Sequence, residues 1–529
     1  MNPRLYPYYF DMVELQGRFA RKGGRALGVT ASLIGFLVLV EICSGIIQGY
    51  YIPLVPDIVK HLGIHDADFN WFEASQLLLT AIVVPIMAKL GDMYGHKRIL
   101  LIATVFTAIG SWALVAADSF WVFLGAWAIQ GFFSVWLPLE IALIFDRGRR
   151  TGSAAGDTRR AAGLLVVALE LGAILGALGG GRIFEALGGD VPTTLAIPAI
   201  AVTLVFFVIL FGVRESEPLP EKRTLDLTGF VLLSINIALI TGGLSLLRLN
   251  GVETWWVWIP IALGIIGFWP FGRYELKQKD PAIDLRLMRQ SRMWPVQLTA
   301  GLVGISVLGA QVPLSTYAGT PRENGYGLGL PAGQLSLLIG AYLISMIIGA
   351  ILFPIVSKRA TPRIALIASA ISVAVGYLLL IPFHLEVWEV VMCMMIAGVG
   401  SGALVGALPA AAAAAAPPGR TGIASALTST SKTIGGSFSS AIFGIVLIGG
   451  AATTVTAGAS SLAGYMTVWA VCGLSAAVAV VLLLFVPKLS FSDAPEGGAP
   501  DDGASEGGAP AEAAPAEAAP EGDTPADAR

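Results

Sequence analysis

Long apolar runs dominate the chain, separated by short polar breaks. The runs cover about residues 27–52, 72–89, 99–117, 121–145, 161–183, 192–213, 228–247, 255–272, 294–317, 334–356, 364–382, 387–410, 421–448 and 462–486. Each approaches or exceeds the length of about 20 residues that a helix needs to cross a bilayer. Gly and Pro recur inside the runs without demoting them, because membrane helices tolerate both. The pattern predicts fourteen membrane-spanning helices, hence an all-α polytopic membrane protein.

Composition agrees. The chain has 529 residues, 55% of them hydrophobic and only 13% charged, with a mean hydropathy of +0.75. A soluble chain carries about 25% charge, so a series of soluble cores is excluded. Cys43, Cys393 and Cys472 all fall inside apolar runs and read as small apolar fillers. The four histidines are scattered, without metal-ligand spacing. No nucleophile triad, phosphate-binding loop or dinucleotide motif stands where its chemistry requires. The reading is therefore no enzyme, no cofactor, no metal and no nucleic acid.

Charge sets the expected topology. If both termini are cytoplasmic, alternate loops should carry the Lys and Arg. The terminal segments and the breaks around Lys97, Arg150, Lys222, Arg286, Lys358 and Arg420 hold 28 of the 33. The opposite side has Lys60, Arg182, Arg248 and Arg322, and Lys432 lies within a run. This places the protein across a plasma (inner) membrane, multi-pass, with both ends inside. Residues 1–26 are basic and aromatic and read as a cytoplasmic arm, either lying on headgroups or disordered. From Asp493 onward the chain is Ala, Gly, Pro and acids, with no apolar residue larger than Ala. It cannot bury a core and is expected to be disordered.

The break at Ala88–Arg98 is too short for more than a tight turn. Gly91 and Gly95 allow the bend, and Asp92 sits among Lys89, Lys97 and Arg98. It is either a solvated loop or a latch whose acid pairs with bases and releases them when helices move.

Several stretches carry a family resemblance. Leu90-Gly-Asp-Met-Tyr-Gly-His-Lys-Arg98 resembles the signature loop of the major facilitator superfamily. Gly172-x-x-x-Gly176-Ala-x-x-Gly180-Gly181 resembles the antiporter motif of its drug exporters, and Pro56-x-Ile58-x-x-x-Leu62 the end of their first-helix motif. Glu275 through Leu287, with Asp280 and Asp284, resembles the segment after the two extra central helices of the fourteen-helix drug:proton antiporter branch. Gly422 through Gly436 resembles that branch's late-helix pattern, with Lys432 in an Arg-like place. The resemblance spans roughly residues 27–486. It implies two six-helix bundles flanking two extra central helices, and alternating access about a midplane cavity. The chain also departs from the pattern. Ile47 stands where the branch usually has Asp, Trp127 where it has Arg, Ala177 where it has Pro, and Met93 and His96 where Arg is common.

Among the acids within the runs, Glu41, Glu170 and Glu140 are the candidates for proton coupling. By helical rise the first two fall roughly 14–21 Å inside. A carboxylate at that depth is costly, so it should face a cavity and tend toward the neutral form. Each also reads as a hydrogen-bonded structural acid, and Glu140, nearer the surface, as a snorkelling or loop-paired one. Ser44 and Gln48 share a helical face with Glu41 and are substrate-cavity candidates, together with Trp127, Gln130 and Lys432. Lys432 reads equally as a packing or gating residue. Gly172, Gly176, Gly180 and Gly181 suit close helix packing. Tyr50, Tyr51, Trp136 and Tyr317 read as cavity aromatics or as core, and Met392, Met394 and Met395 as packing. Trp255, Trp256 and Trp258 read as an interfacial belt.

The expected organisation is an arm at 1–26, a six-helix bundle at 27–213, a linker with two extra helices at 214–293, a second bundle at 294–486 and a tail at 487–529. The expected function is proton-antiport export of a small amphipathic or apolar compound by a monomer in the lipid bilayer. The alternatives are a polar-metabolite exchanger or uptake system on the same fold, and a non-transporting receptor or assembly protein.

Overall fold

The computed structural model describes residues 34–151, 154–215, 226–251, 253–278, 281, 283–291, 293–415, 421–448 and 459–486. The basic arm, the acidic tail, Lys222, Asp280 and Arg420 lie outside the described residues. Among the described residues, fourteen helices are long and apolar enough to cross a membrane. They are α1 (Ile34–Leu62), α2 (Asp66–Tyr94), α3 (His96–Val115), α4 (Phe120–Ile144), α5 (Leu164–Ala186), α6 (Val191–Gly212), α7 (Leu227–Leu247), α8 (Trp255–Glu275), α9 (Trp294–Gly319), α10 (Ala332–Arg359), α11 (Pro362–Leu379), α12 (Val387–Ala412), α13 (Ala426–Ile448) and α14 (Leu462–Leu484). Large apolar side chains such as Leu204, Phe211 and Ile266 stand fully outward, which only lipid makes tolerable.

The helices are not uniform rods. α1 does not stop near residue 52 as its apolar run suggests. It passes through a tight 3₁₀ turn at Ile52–Leu54 and resumes over Val55–Leu62. Pro53 and Pro56 sit in the first turns of those pieces, where a missing N–H costs nothing. α2 begins six residues before its expected start, because the His65 side chain accepts from Ala67 N–H and caps it. α4 tightens to 3₁₀ over Gly131–Val135, and α9 breaks between Val307 and Gln311. Such interruptions mark places where a helix can bend.

α1–α6 enclose one apolar core, including Leu54, Phe72, Trp136 and Ile209. α9–α14 enclose a second, including Val303, Leu335, Val373 and Trp469. α7 and α8 pair with each other and lie against the seam of α2 and α13, where Trp71, Ile240, Val257 and Ala441 form a small core of their own. A polar joint fixes the base of this pair. Asp226 caps α7 through Gly229 N–H at 2.9 Å and accepts from the Tyr274 hydroxyl at 2.9 Å. Asp284 caps the following turn through Leu287 N–H, and Arg286 donates to the Leu276 and Gln278 carbonyls. Trp255, Trp256 and Trp258 are exposed at the start of α8.

The six-helix groups meet along α5–α10 and α2–α13. We call the membrane face where α1 begins the first face, and the other the second face. Ser315 Oγ donates to the Ile52 carbonyl at 2.5 Å, Gly181 N–H to Ser336 Oγ at 3.1 Å and Gly333 N–H to Glu185 Oε1 at 2.8 Å. Ser437 Oγ donates to the Ala74 carbonyl at 2.9 Å. A Cβ on Gly319 would strike Pro56, and one on Gly181 the Ala332 carbonyl. Every one of these contacts lies between mid-depth and the second face.

The loop between α9 and α10 folds over this closed side. Tyr326 packs beside Tyr317 and Tyr465 and donates to the Ser460 carbonyl. Burial, with the nearby Asp66 carboxylate, pushes its phenol up to about 12, so it remains a hydrogen-bond donor at physiological pH.

Candidate functional site

α1 and α5 pack backbone to backbone. A Cβ on Gly172, Gly176 or Gly180 would run into the carbonyls of Ile42, Ile46 and Tyr50, and a Cβ on Gly45 or Gly49 into those of Leu169 and Ala173. Gly181 belongs to a different contact, with α10 across the molecule. The α1–α5 seam leaves no room for side chains, so the acids of these helices must point elsewhere.

Glu41 turns to α4. It is fully buried, as is Glu140, and the two carboxyls face each other. No donor hydrogen reaches any of their four oxygens. Two ionised carboxyls are both acceptors, so they can hydrogen-bond only when one holds a proton. The arrangement thus brings Glu140 to Glu41, not to a loop base.

Glu170 lies apart from that pair. It lies on α5 near enough to Lys432 of α13 for each group to feel the other's charge. Lys432's own backbone is held by Gly304 of α9, whose Cβ would strike the Lys432 carbonyl. Its neighbour Ser431 donates to Gln297 Oε1 at 3.0 Å, and Gln297 Nε2 donates to Thr428 at 2.9 Å.

The other cavity candidates divide. Gln48 is exposed, with Ser44 below it at 3.5 Å. Gln130 is wholly buried, donating to the Tyr51 hydroxyl at 2.7 Å and to Ser111 at 3.0 Å. Tyr50, Tyr51, Trp127, Trp136 and Tyr317 are all buried. Trp127 stacks on Phe123 and meets Phe69 and Tyr51 edge-on, while Tyr317 donates to the His384 carbonyl. These rings build cores. Met394 is buried, whereas Met392 and Met395 face outward. A crevice between the second helix group and Ile52 is lined by Gln311, Ile339, Tyr342, Tyr377 and Met394.

The turn at Gly91–Arg98 has a partner that its own sequence does not announce. Gly95 has φ +106°, a conformation that only glycine adopts freely. Glu215, just past α6, accepts from Lys97 N–H at 2.9 Å and Arg98 N–H at 3.1 Å. It caps α3 as an acid at a helix N-terminus. Lys97 Nζ donates to the Leu210 carbonyl at the end of α6. Asp92 meets His96 at 3.2 Å, and a Cβ on Gly91 would press on Leu139.

Sequence spacing also passes over Glu73, which the run 72–89 sets at its edge, next to the membrane surface. With α2 beginning at Asp66, Glu73 lies inside the span and faces the Trp127 indole. Gln76 and Thr80 follow on the same face, donating to the Trp127 and Gly131 carbonyls. The acidic cluster Asp66–Asp68 next to His65 was the available signal for the earlier helix start.

Comparison with known proteins bears on this geometry. The family model described as Major Facilitator Superfamily matches residues 37–440. The chain is 27% identical over 406 residues to Multidrug resistance protein 3 of Bacillus subtilis, covering 74% of each chain. It is 25% identical over 418 residues to the Probable actinorhodin transporter of Streptomyces coelicolor, covering 74% of this chain and 68% of that one. A crystal structure of the nucleoside transporter NupG superposes with a TM-score of 0.62 at 12% identity, covering 85% of this chain and 99% of that one. At that identity the last likeness concerns the fold alone.

Proposed function

The chain belongs to the Major Facilitator Superfamily, and on that premise we propose that it exports a small amphipathic or apolar compound by proton antiport with alternating access. It is a multi-pass membrane transporter of small molecules, and relatives named for multidrug resistance and for actinorhodin transport support the export reading. The observation that carries the proton reading is the Glu41–Glu140 pair, whose bonding changes when a proton arrives or leaves. The charge asymmetry of the loops supports both termini being cytoplasmic in a plasma membrane. In that orientation the first face is the cytoplasmic one. The contacts that join the helix groups toward the second face then support a closed outside. Nothing in the arrangement requires a second copy, and the protein acts as a monomer.

The cycle runs as follows. Substrate enters the cavity from the cytoplasm, and the groups rock about the α5–α10 and α2–α13 seams. A proton from outside loads the acid pair and is released inside, which resets the carrier. In purified transporter reconstituted into vesicles, adding an exported compound to the cytoplasmic side should drive protons the opposite way. Substrate exchange without proton movement would instead identify an exchanger of polar metabolites. Movement of neither would identify a non-transporting protein.

The turn at Gly91–Arg98 gates the same cycle. Asp92 ties the end of α2 to the start of α3, and Glu215 ties that start to the end of α6. Asp92→Asn is expected to shift the access equilibrium and lower turnover while leaving binding in place. Wild-type turnover in that variant would reduce the turn to a solvated loop.

A further inference from the structure

The interrupted parts of α1 and α9 meet at the seam between the helix groups. Ile52 opens the 3₁₀ turn of α1, and its carbonyl accepts from Ser315 Oγ of α9 at 2.5 Å. Its half-buried side chain packs against the core of the second group. There it borders a crevice whose other walls come from α9, α10, α11 and α12, with Gln311, Ile339, Leu343 and Met394 among them. Gln311 begins the second piece of α9, directly after the break. In this state the crevice is narrow, with room for little more than a water.

The lining selects by what it lacks. None of the nine residues around the crevice is charged, so a carboxylate or ammonium group inside it would lose its water and gain no counter-charge. The lining also holds two unanswered polar groups. Tyr342 is 3% exposed, and its hydroxyl has no hydrogen-bond partner. Its polar neighbours are Ser401, which is also unpartnered, and Tyr377, whose hydroxyl donates to the Ser306 carbonyl at 2.6 Å. A buried phenol without a partner is costly, and its hydrogen is free for an acceptor that enters the crevice. Gln311 is half-buried, and its amide makes no hydrogen bond among the described residues. The rest of the wall is aliphatic or aromatic.

We propose that this crevice is a binding site for a small uncharged aromatic compound bearing an acceptor oxygen, with Tyr342 donating to that oxygen and Ile52 serving as the removable cap of the site. Ile52 belongs to the first helix group and the other eight lining residues to the second. Parting of the groups therefore withdraws the cap and widens the crevice to take a ring. Ligand and Ile52 compete for one space, so occupancy favours the state in which the second face has parted. The proposal deepens the export reading by naming a substrate class. It rests on that reading for the withdrawal of α1, while the lining stands apart from it.

The test measures binding to the full-length protein in lipid nanodiscs, with no gradient and no transport, so a failure of export or of proton antiport leaves the readout intact. The probe is benzophenone, an uncharged diaryl ketone that attaches to nearby C–H bonds on illumination, and the labelled peptides are mapped by mass. Labelling should fall on the α10 and α12 segments around Leu343 and Met394. The anion para-carboxybenzophenone should not label them. Excess phenyl benzoate, which keeps two rings and an acceptor carbonyl, should protect these segments at least about tenfold more effectively than trans-stilbene, which keeps the rings alone. Tyr342→Phe removes only a hydroxyl that bonds to nothing here, and should bring phenyl benzoate down to the level of stilbene while stilbene still protects. Ile52→Ala should lower the concentration for half-labelling at least about fivefold, because less is displaced on entry. Labelling confined to lipid-facing residues, labelling of the crevice by the anion, or equal protection by the two competitors overturns the proposal without recourse to a variant. An advantage of phenyl benzoate that persists in Tyr342→Phe overturns it too, as does labelling unchanged in Ile52→Ala.

Discussion

Glu41→Gln is expected to preserve gradient-free exchange of substrate and to abolish proton-driven accumulation. The substitution keeps the shape of the side chain and removes its ability to titrate. Glu41 and Glu140 are buried together with no donor aimed at either. In the variant the glutamine amide donates to Glu140 permanently, so the contact no longer needs a proton. Packing is retained, and the α1–α5 seam formed by Gly45, Gly49, Gly172, Gly176 and Gly180 is untouched. Binding and rocking therefore survive, while the link between them and the pH gradient is lost. Each unit of pH difference supplies about 1.4 kcal/mol per proton, a tenfold concentration ratio. The accumulation lost is thus about tenfold per pH unit for each proton exchanged. Glu140→Gln should match it, and the double variant should be no worse than either single one if the two acids act as a unit. Wild-type accumulation in both single variants would make the pair structural and move coupling to another acid, with Glu73 and Glu170 the next to test.

The architecture was legible because lipid imposes a simple rule. A helix that must satisfy its backbone in hydrocarbon shows itself as an apolar run, and runs can be counted. The same rule says nothing of where a helix bends. The turn at Ile52–Leu54 and the break after Val307 leave no mark on mean hydropathy, and the first apolar run ends at residue 52 where the helix in fact continues to Leu62. The glycines of the α1–α5 seam were half legible. The spacing of Gly172, Gly176 and Gly180 points to a packing face, but the helix that meets it comes from tertiary structure. The acids followed the same division. Depth can be counted along one helix, which singled out Glu41 and Glu170. Partnership cannot, so the meeting of Glu41 with Glu140 appeared only once helices far apart in sequence were placed side by side. Glu215 was illegible for a related reason. It caps α3 from beyond α6, more than a hundred residues away.

Linking the second face shut is expected to abolish transport and leave binding from the N-terminal face intact. Glu185 at the end of α5 accepts from Gly333 N–H at the start of α10, at 2.8 Å. A Cβ built on Gly333 would lie 2.5 Å from the Glu185 carboxylate, so Glu185→Cys with Gly333→Cys brings two thiols within reach of a short bifunctional thiol reagent. Cys43, Cys393 and Cys472 are buried, which keeps them out of the reaction. The link spans the α5–α10 seam, one of the two that must part for the outside to open. With the link in place the cavity opens only toward the first face. A membrane-impermeant ligand should then bind from the side bearing the termini and not from the other, while turnover falls to the background of empty vesicles. Reductive cleavage of the linker should restore turnover to that of the unlinked double variant, which separates trapping from damage. Each single-cysteine variant should be insensitive to the reagent. Transport that persists in fully linked protein would mean that the α5–α10 seam does not open during the cycle. Binding from the opposite side alone would reverse the orientation drawn from the loop charges. The expected result, one-sided binding with no turnover, requires that the closed contacts seen here belong to one of two states between which the transporter must pass.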